Sequence, residues 1–233
     1  MKNLFTFWSG PKPNIISILE YRMEEACLMF GYKFHPISSN NIESYIELPK
    51  NFEKLRVQHK SDVARVRLIN KYGGIWFDSD TLVLGNLDKY FKKIEENEGF
   101  FLRNSEGKVI NANFGSRPET SFMQKWSKKI DDQLKNGAKF PYETIGNEFL
   151  SREFASGELS SYDVSCCENL EAPIRKGRLL EYTKPNEKLK KQILENNPSF
   201  LVLQNPIYRH YSLLSQEEKR ISLLFSLLKE PIV

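Results

Sequence analysis

Two carboxylates separated by one residue, Asp78 and Asp80, are the side chains of this chain best suited to chemistry. They follow a bulky apolar run at residues 75–77, which is typical of a strand covered on both faces. Because side chains alternate along a strand, we expect Asp78 and Asp80 to point the same way and Ser79 to point opposite. Neighbouring carboxylates repel each other unless a cation lies between them. The pattern therefore favours a site for Mg²⁺ or Mn²⁺, which also bind phosphates, over an ordinary polar strand end.

The segment before this strand is predicted to be a helix that ends in a glycine turn. Four apolar residues recur at roughly helical spacing: Val63, Val66, Leu68 and Ile69. Ser61 precedes them as a candidate N-cap, and Asp62 in the first turn suits the positive end of the helix dipole. Gly73 and Gly74 permit the positive φ that a tight turn needs.

The order of the remaining elements predicts an α/β fold with a mainly parallel sheet. A strand at residues 3–8, a helix at 15–30 and a strand at 32–37 come first. Further strands are expected at residues 100–102, 111–115 and 200–204, with an amphipathic helix at 118–133. Sheets of this kind bind ligands at the carboxyl ends of their strands, which is where Trp8 would lie.

The stretch from Ser61 to Asp80 resembles the core of the DXD-containing sugar transferases. The shared pattern is Asp62-x-x-Arg65, then Tyr-Gly-Gly at residues 72–74 and Asp-Ser-Asp at residues 78–80. These enzymes are nucleotide-sugar-dependent glycosyltransferases of the GT-A fold, including the glycosyltransferase family 32 type. The resemblance implies a GT-A-type, Rossmann-like, mainly parallel sheet flanked by helices, with a C-terminal helical addition.

The resemblance also implies roles for the residues that match the pattern. Asp78 would contact the ribose or a metal-bound water, and Asp80 would ligate the metal on the diphosphate, with Ser79 among the substrate-binding residues. Asp62 and Arg65 would face the hydroxyls of the donor sugar. Their spacing places them on one helix face, although an ordinary surface ion pair would have the same spacing.

Five residues outside that stretch are further candidates by the same resemblance. Trp8 would stack on the nucleotide base, with a core tryptophan as the alternative. Asn111 or Asn113 would place an amide near the anomeric carbon, so we take Asn113 as a catalytic and Asn111 as a substrate-binding candidate. Arg209 could neutralise phosphate with its planar guanidinium, and His210 could be a metal ligand. A Thr-Ile-Gly-Asn run at residues 144–147 departs from the Thr-Gly-Pro turn of the family, and no role is carried over to it.

Composition bounds the organisation of the chain. With 233 residues and 40% hydrophobic content, it suits one glycosyltransferase domain. We expect residues 1–115 to form a nucleotide-sugar-binding half, and residues 116–233 to form an acceptor-side half with a C-terminal helix. No apolar run is long enough to span a bilayer, no signal peptide is recognised, and three cysteines make no disulfide framework. These features favour a cytoplasmic location.

The charge pattern bears on partners. The net charge of +4 is mild, and no nucleic-acid-binding motif accompanies it, so no nucleic-acid partner is expected. Residues 215–228 combine apolar side chains with lysine and arginine. This composition is typical of a helix packed on the domain, and it also suits a peripheral membrane contact.

The sequence therefore predicts a metal-dependent glycosyltransferase of polysaccharide biosynthesis that uses Mn²⁺ or Mg²⁺. The expected donor is a UDP- or GDP-sugar and the expected acceptor a glycan or lipid-linked glycan, with retention at the anomeric carbon. One alternative is a haloacid-dehalogenase-like phosphohydrolase, in which Asp78 would be the nucleophile and Asp80 the acid/base. The other is a non-catalytic module that binds nucleotide sugars.

Overall fold

The structure is a computed structural model that describes residues 2–104, 107–137, 139–141, 143–166 and 179–233. The chain forms two compact units. The first comprises Met1–Gly10, Tyr32–Asp78 and Asp88–Cys166. The second comprises Pro11–Gly31, Ser79–Leu87 and Cys167–Val233. The predicted division near residue 115 stays a prediction.

The described strands and helices are as follows. The strands are β1 (Asn3–Trp8), β2 (Lys33–Ser38), β3 (Gly74–Phe77), β4 (Thr81–Val83), β5 (Gly99–Arg103), β6 (Val109–Ser116), β7 (Tyr162–Cys166) and β8 (Phe200–Val202). The helices are α1 (Asn14–Phe30), α2 (Val57–Tyr72), α3 (Asp88–Glu96), α4 (Ser121–Lys135), α5 (Asn147–Ala155), α6 (Leu179–Thr183), α7 (Glu187–Asn196), α8 (Gln204–Leu213), α9 (Gln216–Ile221) and α10 (Leu223–Leu228). Two 3₁₀ turns, Ile42–Ser44 and Phe52–Lys54, lie between β2 and α2.

The first unit is built around a six-stranded sheet in the order β2-β1-β3-β6-β5-β7. Strand β6 pairs antiparallel with β3 and β5, whereas the other three pairings are parallel. Five strands therefore share one direction, which confirms the prediction of a mainly parallel sheet. Strand β7 at the sheet edge was not predicted, because its short sequence Tyr-Asp-Val-Ser-Cys is only weakly apolar.

The core of the first unit is aromatic. Phe101 and Phe114 of adjacent strands stack with ring centroids 5.2 Å apart, and Trp126 of α4 lies 5.5 Å from Phe114. The apolar face of α4 is buried as predicted, through Phe122, Met123, Trp126 and Ile130. The indole nitrogen of Trp126 donates to the carbonyl of Ile145 at 2.7 Å, so this large side chain is buried with its polar atom satisfied.

The second unit combines α1, α6 to α10 and a two-stranded antiparallel sheet of β4 and β8. Helix α1 ends at Gly31, whose φ of 72° is the left-handed conformation expected for a glycine C-cap. The C-terminal residue completes this unit, because Val233 donates to the carbonyl of Leu84 and accepts from the amide of Asn86. No helix in the described part of the chain has the length and hydrophobicity needed to cross a bilayer.

Three local predictions were wrong. The N-cap of helix α2 is the extended residue Arg56 and the helix begins at Val57, so Ser61 lies inside the helix. Strand β3 ends at Phe77, and the two residues that precede β4 form a turn, so strand alternation does not apply across residues 78–80. Strand β8 ends at Val202 rather than at the predicted residue 204, because helix α8 begins at Gln204.

The C-terminal helical addition is present, but as two short helices. Ser222 has a ψ of 151° and interrupts the helical backbone. Its hydroxyl accepts from the amide of Phe225 at 3.2 Å and caps α10. Ser215 caps α9 through a capping box with Glu218.

Candidate functional site

A glycine turn between α2 and β3 fixes the position of β3, and so of Asp78, which follows it. Gly73, with a φ of 62°, ends α2, and Gly74 opens β3 with a φ of 114°. A β-carbon on Gly74 would lie 2.5 Å from the carbonyl oxygen of Asn3, so β3 reaches β1 only because this residue has no side chain. The amide of Asp78 then donates to the carbonyl of Ala112 at 2.9 Å, which ties the end of β3 to β6.

A buried ion cluster lies at this carboxyl end of β3. The guanidinium of Arg65 places Nε 3.4 Å from Oδ1 of Asp62 and Nη2 3.1 Å from Oδ1 of Asp78. The indole nitrogen of Trp76 donates to the same oxygen of Asp78 at 2.9 Å, and Arg65 lies over the Trp76 ring, 5.2 Å from its centroid. The predicted pairing of Asp62 and Arg65 on one helix face is confirmed, and it is not a surface pair.

The three charged side chains of the cluster differ in how much of their surface is exposed to solvent. Those of Arg65 and Asp62 are 7% and 6% exposed, whereas that of Asp78 is 31% exposed. All contacts of the Asp78 side chain that involve described residues are made through Oδ1. Asp78 is therefore the most exposed member of the cluster, and its Oδ2 has no hydrogen-bond or ion-pair partner among the described residues.

The remaining donors of Arg65 are used inside the protein. Nη2 donates to the hydroxyl of Ser61 at 2.9 Å, Nε approaches the Ser61 carbonyl at 3.4 Å, and Nη1 donates to the Asn111 carbonyl. Each guanidinium nitrogen therefore has a partner, as a buried charge requires. Arg65 is fixed in place and its charge is directed at the two carboxylates.

Burial changes the proton affinity of the two carboxyl groups. It raises the pKa of Asp62 to about 6, although the charge of Arg65 acts in the opposite direction and the nearby Asp78 adds to the rise. Burial also raises the pKa of Asp78, against the opposing effects of Arg65 and of the hydrogen bond from Trp76. Perturbed carboxyl groups with specific charge partners are typical of functional sites.

Three residues from other elements complete the cluster. Asn111 donates from its side-chain nitrogen to Oδ1 of Asp62 at 2.9 Å, and its backbone amide donates to Oδ1 of Asn147 at 2.9 Å. A β-carbon on Gly146 would lie 2.8 Å from the side-chain nitrogen Nδ2 of Asn111 and 3.5 Å from Oδ1 of Asp62. Sequence reasoning placed Asn111 near the site but missed Gly146 and Asn147. The sequence feature that could have indicated them is the Gly-Asn pair at residues 146–147, to which no role was assigned.

The other candidate residues of the first unit lie in different surroundings. Trp8 is the last residue of β1 and is partly exposed, as a ligand contact at a strand end requires. Asn113 lies opposite Phe77 in the β3–β6 register and is fully buried. Of the predicted residues, the structure thus brings together Asp62, Arg65, Asp78 and Asn111.

Four candidates belong to the second unit and are described with it. Ser79 is buried and Asp80 is partly exposed. The carbonyl of Asp80 accepts from the amide of Leu203 at 3.0 Å, which fixes the start of β4. Arg209 and His210 are exposed on α8.

The donor set suits one kind of metal site only. Within the described ranges, no three His, Cys, Asp or Glu residues are grouped so that they could hold an ion. Mg²⁺ keeps several waters and is bound by one or two carboxylates together with substrate phosphates. The described carboxylates therefore do not fit a closed protein cage, and a partly exposed aspartate such as Asp78 fits an ion that a diphosphate helps to hold.

Comparison with solved structures identifies the fold. A glycosyltransferase involved in the glycosylation of the major capsid of PBCV-1 superposes with a TM-score of 0.51 at 13% identity, over 91% of this chain and 98% of that one. The PaToxG glycosyltransferase gives a TM-score of 0.48 at 12% identity, over 98% and 86% of the two chains. The galactosyltransferase LgtC, in complex with donor and acceptor sugar analogs, gives 0.40 at 11% identity over 70% and 73%.

Sequence comparison identifies the family. The model of the family described as capsular polysaccharide synthesis protein matches residues 2–140, which is more than half of the chain. No curated protein sequence gives a significant match. The expected GT-A-like α/β fold is confirmed by the structural match, and the recognition of a glycosyltransferase-type enzyme agrees with both findings. The chain therefore belongs to the capsular polysaccharide synthesis protein family.

Proposed function

We propose that this protein is a metal-dependent glycosyltransferase that moves a sugar from a nucleoside-diphosphate donor to a glycan or lipid-linked acceptor. The observation that carries the proposal is the buried Asp62–Arg65–Asp78 cluster, with one partly exposed carboxylate, at the carboxyl end of β3. In α/β sheets, ligands bind at this end of the strands. Family membership and the GT-A-like fold support the same activity.

In this proposal Asp78 contacts the donor, and Arg65 acts through Asp78. Because every nitrogen of Arg65 has an internal partner, its role is to hold Asp78 in one orientation rather than to bind sugar hydroxyls. Because Arg65 already holds the Asp78 carboxylate in place, less conformational entropy is lost when the donor binds. Asp62, which is almost fully buried, holds the other side of the guanidinium and fixes the amide of Asn111.

Asn111 is the proposed amide next to the donor sugar. Its side chain is partly exposed, whereas that of Asn113 is fully buried. One N–H of the Asn111 side-chain amide donates to Asp62 at 2.9 Å, which leaves the second N–H and the side-chain oxygen Oδ1 for sugar hydroxyls. Gly146 leaves the space that this amide occupies.

Asp78 and Asp80 are the proposed holders of Mn²⁺ or Mg²⁺. When bound, such an ion supplies positive charge that stabilises the nucleotide diphosphate as leaving group. His210 and Arg209 are retained as proposed metal and phosphate contacts, and Trp8 as a platform for the base. Donor identity as a UDP- or GDP-sugar and retention at the anomeric carbon are proposed on the resemblance alone.

Binding of nucleotide sugars tests the proposal. We would measure heats of binding for UDP- and GDP-sugars with Mn²⁺ and with EDTA, and then transfer to a panel of glycan acceptors. We expect one donor to bind only with metal. The Asp80→Asn variant should bind that donor at least about tenfold more weakly, since a charge-assisted contact of roughly 1.5–3 kcal/mol is lost.

Asp132→Asn is the matched control, because Asp132 is exposed on α4 and pairs only with nearby lysines. It should bind and transfer as the unmodified protein does. Unimpaired metal-dependent transfer by Asp80→Asn would overturn the proposed metal site. Hydrolysis of phosphate esters without nucleotide-sugar binding would return Asp78 to the phosphohydrolase alternative, and binding without transfer to any acceptor would favour the non-catalytic module.

A further inference from the structure

A largely apolar groove of about 670 Å³ lies within the second unit, between the start of α1 and the C-terminal helices. Its apolar lining includes Ile15 and Ile18 of α1, Tyr211 of α8, and Phe225 and Leu228 of α10. Phe225 and Leu228 keep part of their surface exposed, so the groove is accessible from solvent. The second unit thus has a solvent-accessible apolar groove, and none of the residues of the ion cluster lines it.

The charged residues of this groove are all basic. Lys219, Arg220 and Lys229 line it, and no acidic residue does. The side chain of Arg220 makes no hydrogen bond or ion pair with any described residue, and that of Lys229 contacts only the ring of Phe225, 4.3 Å from its centroid. Lys219 makes one long hydrogen bond, of 3.3 Å, to the carbonyl of Ser212. Lys219 also lies 5.9 Å from the centroid of the Tyr211 ring, and none of the three cations forms an ion pair with a carboxylate of the described residues.

Two large apolar side chains that directly follow lining residues in the sequence are exposed to solvent. Leu213, which follows the lining residue Ser212, is 84% exposed, and Ile221, which follows the lining residue Arg220, is 57% exposed. The acidic residues of α9, Glu217 and Glu218, are not among the residues that line the groove, and Glu218 accepts from the backbone amide of Ser215 in the capping box. Exposed apolar side chains beside unpaired cations are typical of surfaces that lie in the interface of an anionic bilayer.

We propose that this face of the second unit binds the surface of a membrane that contains anionic phospholipid. Lys219, Arg220 and Lys229 contact the lipid phosphates, and the apolar groove accepts part of an acyl chain. Leu213 and Ile221 enter the interfacial region, where burial of apolar area adds to the electrostatic attraction. The inference adds a partner to the proposed transferase, and its test needs no transfer reaction.

Vesicle co-sedimentation tests the inference. The full chain is mixed with vesicles of phosphatidylcholine alone or with one third phosphatidylglycerol, at low and at high salt. We expect binding to the anionic vesicles only, weakened by salt because headgroup attraction is screened. Since each basic residue near such a surface contributes about a fivefold factor in partitioning, Arg220→Ala with Lys229→Ala should reduce binding roughly 25-fold.

The matched control replaces Lys188 and Lys191 of α7 by alanine, which makes the same change in net charge on exposed residues of the same unit. It should bind within about twofold of the unmodified protein, because screening leaves charges away from the contact with little effect. A third variant, Leu213→Ser with Ile221→Ser, tests the apolar part and should also bind more weakly, since both side chains are exposed and their removal leaves the fold intact.

Equal sedimentation with neutral and anionic vesicles would overturn the inference, as would an equal loss in the α7 control. Competition by inorganic phosphate at low concentration would assign the three cations to a soluble phosphate instead. Transfer to a soluble acceptor, measured on the same Arg220 and Lys229 variant, should be unchanged. Loss of vesicle binding and loss of transfer are therefore separate outcomes.

Discussion

Replacement of Arg65 by methionine removes the one positive charge that separates Asp62 from Asp78. Methionine keeps much of the packing of the arginine stem, so the change isolates the guanidinium. Two largely buried carboxylates, 6% and 31% exposed, then face each other without a cation. Loss of one partner of a buried ion pair costs about 3–5 kcal/mol, because the remaining charge is uncompensated. We expect the free energy of unfolding at neutral pH to fall by about this amount.

The pH dependence identifies the cause of that loss. The pKa of Asp62 is already raised from 3.8 to about 6, and Arg65 opposes the rise, so its removal raises the pKa further. A carboxyl group with a raised pKa in the folded state destabilises that state as pH increases above its unfolded value. The deficit of Arg65→Met should therefore be largest at about pH 7.5 and should shrink as pH falls towards about 5.

Urea unfolding followed by tryptophan fluorescence provides the measurement. All three tryptophans, Trp8, Trp76 and Trp126, lie in the first unit, so the signal reports the unit that contains the cluster. Arg152→Met is the control, since Arg152 is exposed and its ion pair with Glu153 should be worth no more than about 1 kcal/mol.

Two results would refute the reasoning about Arg65. One is a loss below about 1 kcal/mol at neutral pH, which is the range of exposed pairs. The other is a loss that does not change with pH, because it would come from packing rather than from uncompensated carboxylates. Adding Asp62→Asn to Arg65→Met should recover part of the stability at neutral pH.

Three further predictions follow from single contacts. Gly146→Ala should displace the amide of Asn111, since the new β-carbon would lie 2.8 Å from its nitrogen; calorimetry should find donor binding about tenfold weaker, and unchanged binding would remove Asn111 from the proposed site. Trp126→Phe leaves the carbonyl of Ile145 without its donor and should lower the free energy of unfolding by about 1–3 kcal/mol in urea titrations; a neutral effect would mean that water replaces the donor. Burial raises the pKa of the Cys27 thiol to about 12, so peptide mapping should find Cys27 unmodified by iodoacetamide at about pH 8 in the folded protein and modified after denaturation.

The site was predictable as far as its residues are linked by local sequence. The three-residue spacing of Asp62 and Arg65 places them on one helix face whatever surrounds them. The glycine turn then returns the chain as β3, which ends next to Asp78. Those features need only helical periodicity and the backbone freedom of glycine. They were therefore recognised correctly, although the start of α2 was placed five residues too late, with Ser61 instead of Arg56 as the N-cap.

The rest of the site depends on contacts between residues far apart in the chain. Asn111 reaches Asp62 across 49 positions, and Asn147 reaches Asn111 across 36. The pairing of antiparallel β6 with β3 creates the first contact, because it places residues 111–113 beside the end of β3, and the packing of α5 against β6 creates the second. No spacing or periodicity in the sequence encodes that strand order.

The sequence by itself determined the strand, the turn and the identity of the carboxylates, because these follow from side-chain size, polarity and backbone freedom over a few residues. Only the tertiary structure decided how those carboxylates behave. Burial turned a common Asp–Arg pair into a fixed cluster, raised the pKa of Asp62 to about 6, and left Asp78 as its partly exposed member. Desolvation depends on everything packed around a group, and that packing exists only once distant segments have come together.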